Sequence, residues 1–260
     1  MSFCVMLCDF PENVQHRRIE YDRGDIAMVR KVGLYLCYAV TVLTVLSAVH
    51  MMDRTVTVLA ENRKFENNSC IIIDPGHGGE DGGAVSVSGK PESTYNLEIS
   101  CRLRDLLHLL GYETIMTRDA DVSIYTKGES LAQKKISDLK ERVRIINGTN
   151  NALLLSIHQN SFPDARYSGP QVFFSETNGS EALAKHLQQI LSGALSPGSR
   201  RNAKKASGIY LMEHIQCTGV LIECGFLSHH REELLLRDTE YQKKLSALIA
   251  VGVSQYLSNT

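Results

Sequence analysis

His77, Glu92, His158 and Glu223 are the residues of this chain whose types could together run a metal-assisted hydrolysis. A hydrolytic zinc site takes three protein donors from histidine and carboxylate and leaves one position for water. A further carboxylate must then take a proton from that water. His77, Glu92 and His158 meet the first need, and Glu223 the second. The gaps between them are too long to carry specificity, so the reading rests on where each one stands. Read from the residues alone, Glu80 and Asp81 compete with Glu92 for the carboxylate position.

His77 follows the run Ile71-Ile72-Ile73-Asp74, which reads as a buried strand. Pro75, Gly76, Gly78 and Gly79 then stop that strand and bare the backbone around the histidine. Glu92 follows Pro91 and opens a helix predicted over Ser93–Leu110, where it also suits the first-turn charge of that helix. His158 ends the apolar strand Ala152–His158, sharing a face with Leu154 and Ser156, and Gln159 and Asn160 make its surroundings polar. Glu223 ends the buried run Val220–Glu223, where desolvation is costly unless it meets a cation or a proton-transfer task. Among the other histidines, His108 and His186 fall within helices, while spacing does not separate His214, His229 and His230 from the site.

The elements that must position these groups alternate. Further strands are predicted at Glu113–Thr117, Gln171–Phe174 and Ile209–Met212, and further helices at Leu139–Asn147, Glu181–Leu191 and Glu240–Leu257. Segments 119–138 and 195–207 read as polar connections that form cleft walls. This order predicts an α/β fold, an open, mainly parallel twisted sheet with helices on both faces. In such sheets sites form beyond the carboxyl ends of the strands, where His77, His158 and Glu223 all fall.

The chain has 260 residues and a formal net charge of −1, which argues against a nucleic-acid partner held by a broad basic surface. Val32 to Met52 carries no formal charge and, at about 1.5 Å per residue, spans a hydrocarbon core of about 30 Å. Arg17, Arg18, Arg23, Arg30 and Lys31 precede it, which puts the N-terminus in the cytoplasm and the remainder outside. The organisation that follows is a cytoplasmic segment 1–31, a transmembrane anchor 32–52, a polar tether 53–68 and a catalytic domain 69–260. A cleaved signal sequence is the competing reading of 32–52, and the "MVRK" at Met28 leaves residues 1–27 as an extension or a misplaced start. Cys70, Cys101, Cys217 and Cys224 are too spread to form a disulfide scaffold and read as isolated thiols.

"IIIDPGHGG", "PESTYNL", "TRDAD", "SIHQNS" and "GVLIECGFLS" together resemble the zinc-dependent N-acetylmuramoyl-L-alanine amidases of the amidase-3 type, from about Ile71 to the C-terminus. "TKGES", "KKISDLKERVRIIN", "ASGIYLM" and "GFLSHHREELLL" are similar to the germination-specific, spore-cortex branch of that family. The resemblance implies Zn²⁺ held by His77, Glu92 and His158, so it selects Glu92 over Glu80, and it implies Glu223 as the catalytic base. It implies peptidoglycan as substrate, cut at the amide between N-acetylmuramic acid and L-alanine, in preparation for muramic-δ-lactam formation in the spore cortex. An activating protein partner is a further expectation. Gln159 and Cys224 depart from the family's habit, and strand alternation points Cys224 away from the metal. The alternatives are a vegetative cell-wall amidase, a silent wall-binding module, or another extracellular zinc peptidase. The last lacks the H-E-x-x-H pattern of zincins. The basic run Arg200, Arg201, Lys204 and Lys205 reads either as a solvated loop or as a site for stem-peptide carboxylates.

Overall fold

The structure, a computed structural model, describes residues 23–61, 69–164 and 167–260, which divide into two units. The first is one helix, α1 (Arg23–Glu61). Its stretch Arg30–Met51, 22 residues long, is long and apolar enough to cross a membrane, as an anchor or as a signal sequence. The helix continues through 53–61, where a polar tether is expected, while residues 1–22 and 62–68 lie outside the described residues.

The second unit is the expected α/β domain. Its sheet is built from β1 (Cys70–Pro75), β2 (Thr114–Met116), β3 (Ala152–Asn160), β4 (Gln171–Phe174), β5 (Lys204–Lys205) and β6 (Thr218–Phe226), in the order β2-β1-β3-β6-β4-β5. β2, β1, β3 and β6 run parallel; β4 is antiparallel to β6, and β5 is parallel to β4. The three central strands are buried on both sides, which is why they read as unbroken apolar runs rather than alternating ones.

Ile71, Ile73, Leu155, Ile157 and Ile222 pack under α2 (Glu92–Leu109), α4 (Ser180–Leu195) and α7 (Thr239–Ser258) through Ile99, Leu103, Leu187 and Ile249. Ile72, Leu154 and Leu221 face the other way, against Ile146 of α3 (Leu131–Asn147) and Leu211 and Met212 of α5 (Tyr210–His214). Burying a Leu or Ile side chain contributes about 1.5–3 kcal/mol, so these two apolar layers hold the sheet between helices.

Three departures from expectation have local causes. Ile209–Met212 is not a strand: Leu211, Met212 and Ile215 fall on one helical face, and Glu213 Oε1 reaches back to accept from the Gly208 amide at 2.6 Å. A four-residue apolar run is ambiguous in period, and packing under β6 decides it. α3 begins at Leu131 rather than Leu139, because Ser130 and Gln133 form a capping box. α6 (His230–Arg237) and β5 are additional elements, in runs too short to show a period.

Candidate active site

β1, β3 and β6 end on the same rim, and His158 lies directly across from Glu223 in the parallel pairing. β1 overshoots into Gly76 and His77, whose backbone adopts a left-handed conformation at φ 60°. For a non-glycine residue that is costly unless the surroundings impose it. Here two buried guanidiniums do so. Arg142 donates to Asp74 Oδ1 at 2.6 Å, to the Pro75 carbonyl at 2.8 Å and to the His77 carbonyl at 2.8 Å. Arg118 donates to the Pro75 carbonyl and to the Gly76 carbonyl, each at 3.0 Å. Asp74 is itself buried and accepts from Thr117 and Ser156 hydroxyls, both at 2.7 Å. Burial would raise the Asp74 carboxyl, but Arg142 and the two hydroxyls hold it below the usual range. Burial and the neighbouring Arg142 pull Arg118 down to about 10.

Glu92, at the first turn of α2, swings its carboxylate between the two histidines. His77 Nε2 stands 3.3 Å from Glu92 Oε2, and His158 Nδ1 stands 2.9 Å from Oε1. The three donor atoms all lie within 4.8 Å of one another. The Ala84 and Gln159 amides donate to this carboxylate at 3.0 and 3.1 Å, and the Asn96 amide group at 3.2 Å. Glycines leave room for the cluster. A Cβ on Gly76 would overlap the His158 ring, and one on Gly83 would come within 2.6 Å of Glu92 Oε2 and of the His77 ring.

The donor set suits a divalent ion. Four bonds of about 2.0–2.1 Å arranged tetrahedrally leave neighbouring donors about 3.3 Å apart, close to the two histidine–Glu92 separations. His77 Nδ1 is 2.9 Å from Asp81 Oδ2, the arrangement that orients a ligating imidazole. Protons take the place of a cation in the metal-free electrostatics. Burial lowers the His77 imidazole, but Glu92 and then Asp81 outweigh it and push it to about 9. Burial raises Glu92, and His158 and His77 more than reverse that, holding the carboxylate far below its ordinary range.

Glu223 is different. Part of its side chain is accessible, but Oε2 is shielded and without a hydrogen-bond partner. Burial pushes its carboxyl up to about 7, His158 opposing and Glu92 adding to the rise. That is the range wanted of a group that exchanges protons near neutrality. Cys224, next along β6, turns into the opposite apolar layer with Ile222.

The structure thus brings together all four residues singled out in the sequence. Asp81 and Glu80 stand elsewhere: Asp81 supports His77, and Glu80 is paired with Lys134 at 2.8 Å on the surface. His214 Nδ1 bonds the Tyr210 carbonyl and His229 caps α6, so neither joins the cluster. Sequence reasoning missed Asp74, Arg118 and Arg142. An acid closing a triple-isoleucine strand, with two arginines to answer it, was the available signal. A cleft of about 360 Å³ opens beside His77 and His158, walled by Lys135 and Leu139 of α3 and by Ile209, Tyr210 and Leu211.

An α/β sheet that gathers two imidazoles, one carboxylate and a second, shielded acid on its carboxyl rim defines a metal-assisted hydrolase. Residues 71–255 match the Amidase_3 family, N-acetylmuramoyl-L-alanine amidase, and the chain belongs to that family and is an enzyme of that class, a hydrolase of a linear amide. It is 40% identical over 191 residues to the germination-specific N-acetylmuramoyl-L-alanine amidase of Bacillus subtilis, covering 72% of this chain and 79% of that one. The CwlD amidase from Clostridioides difficile, solved in complex with the GerS lipoprotein, superposes with a TM-score of 0.71 at 37% identity, covering 74% of this chain and all of that one. The catalytic domain of CwlV from Bacillus (Paenibacillus) polymyxa gives a TM-score of 0.61 at 27% identity, covering 74% of this chain and 99% of that one.

Proposed function

We propose that the protein removes stem peptides from spore-cortex peptidoglycan by hydrolysing the amide between N-acetylmuramic acid and L-alanine, with His77, Glu92 and His158 as zinc ligands and Glu223 as base. The observation that carries the assignment of roles is the contrast between the carboxylates: Glu92 is fully hydrogen-bonded between two histidines, while Glu223 keeps a shielded oxygen with no partner. Similarity to the germination-specific relative supports the spore-cortex role.

Zinc, when bound, supplies Lewis-acid polarisation of the scissile carbonyl and acidifies a bound water. The chain's own groups do the rest. Glu223 takes a proton from the attacking water and returns it to the departing L-alanine amine. Asp81 keeps the His77 ring aimed, and the Ala84, Gln159 and Asn96 donors hold the Glu92 carboxylate in place. Arg118 and Arg142 hold the His77 loop in its strained shape at no cost in reorganisation.

The organisation proposed is a cytoplasmic segment 1–31, an anchor 32–52, a tether 53–68 and the catalytic domain 69–260 facing the wall or the forespore intermembrane space. A lipoprotein partner is in keeping with the complex seen for the Clostridioides difficile relative. The test is digestion of purified spore peptidoglycan by the full chain in detergent. The expected products are new L-alanine amino termini and unsubstituted muramic acid, lost with chelator and restored by Zn²⁺. New amino termini at any other stem residue would assign the chain to a peptidase class instead.

A further inference from the structure

The basic run of the β4–β5 region does not behave as one patch. Lys205 pairs with Glu176, and Arg200 and Lys204 are on the surface. Arg201 alone is drawn inward. Its guanidinium lies over the Phe226 ring, 5.0 Å from the centroid, and its Nη1 donates to Gln171 Oε1 at 3.4 Å. Gln171 is in turn fixed, donating to Gln188 Oε1 at 3.0 Å and to the Asn202 carbonyl at 2.7 Å. Among the described residues no carboxylate comes within ion-pair distance of Arg201. A partly buried guanidinium that is held in place by a ring and an amide, and left without a counter-ion, is preorganised for an anion.

Its position ties it to the reaction. Gln171 is the residue directly across from Glu223 in the antiparallel pairing, and Phe226 lies three places beyond Glu223 on the same strand. A cavity of about 490 Å³ opens at Arg201, edged by Ser192, Ser199 and Asn202, with Lys185 as its other cation and no acidic residue in its lining. The cavity is distinct from the cleft beside His77. Through Gln171, Arg201 is held at the strand end that carries Glu223.

Resting on the amidase reading, we propose that Arg201 is a specificity-determining residue. It binds a free carboxylate of the stem peptide beyond the scissile amide, and Gln171 and Phe226 position its guanidinium for that contact. Arg201 selects substrate and takes no part in proton transfer.

The experiment compares two synthetic muramoyl tripeptides, one with free carboxylates and one with the same groups as carboxamides, using the zinc-loaded full chain. A charge-assisted hydrogen bond is worth about tenfold to a hundredfold in affinity, so amidation should raise KM by about that factor with kcat nearly unchanged. Arg201→Met, which keeps an apolar stem over Phe226, should erase the difference between the two substrates while leaving turnover of the carboxamide intact. Arg201→Lys, with charge but no fork, should restore part of it. Equal discrimination by the wild type and Arg201→Met, or none by the wild type, overturns the proposal while leaving the amidase reading standing. Failure of every protein on both substrates would instead count against the amidase reading, and with it the premise of this one.

Discussion

At the residue scale, the site divides two kinds of acid by their surroundings. Glu92 is held ionised by hydrogen-bond donors, whereas Glu223 is raised towards neutrality by burial. Glu223→Gln should keep its metal and its fold and lose about 10²- to 10⁴-fold in kcat; near-normal turnover of that variant would remove Glu223 from proton transfer. The metal-free protein carries a second signature. His77 has a folded value of about 9 against an ordinary 6.5, so its stabilisation is complete below pH 6.5 and is lost as pH rises through 9. Glu223, at about 7 against 4.5, likewise costs stability as pH rises between those values. Thermal melts of chelated protein should therefore fall from pH 6.5 to 9, and added metal should flatten that slope. A slope of the opposite sign would contradict the electrostatics described here. Histidines and acids at strand ends were legible in the sequence because each broke an apolar run. Asp74 breaks such a run too, but its partner Arg142 is 68 positions away on a helix, a distance that spacing does not bridge.

At the element scale, β1 and α3 act as one support for the His77 loop. Arg142 joins them, binding Asp138 on its own helix and Asp74 on the strand, both at 2.6 Å. Removing one partner of a buried pair leaves a charge uncompensated and costs about 3–5 kcal/mol, so Arg142→Ala should lower unfolding stability by that amount and weaken metal binding with it. Denaturant melts and metal titration read the two effects separately. Gly76→Ala tests the close approach of β1 to β3: its Cβ would displace the His158 ring. Metal affinity should drop while the far-ultraviolet spectrum stays native, and unchanged affinity would show that the ring has room to move. The sheet strands and the long helices were legible because their apolar periods are sustained. α5 and α6 were not, since a short run such as Ile209–Met212 fits either period and tertiary packing chooses. β5, two exposed lysines paired to β4, has no pattern to read.

At the scale of the whole molecule, the chain joins an apolar helix to a catalytic domain. The stretch Arg30–Met51 is long and apolar enough to span a bilayer, as an anchor or as a signal sequence, and basic residues precede it. Kept as an anchor, it confines hydrolysis to peptidoglycan close to the membrane, and alkaline washing should leave the full chain in the membrane pellet; release to the supernatant would identify a cleaved signal sequence instead. Both uses rest on the same claim, that the rim of β1, β3 and β6 holds one catalytic metal. Metal analysis of the purified full chain beside His158→Ala tests it most directly. One zinc per chain in the wild type and none in the folded variant is the predicted result, and equal zinc in both would contradict the site described.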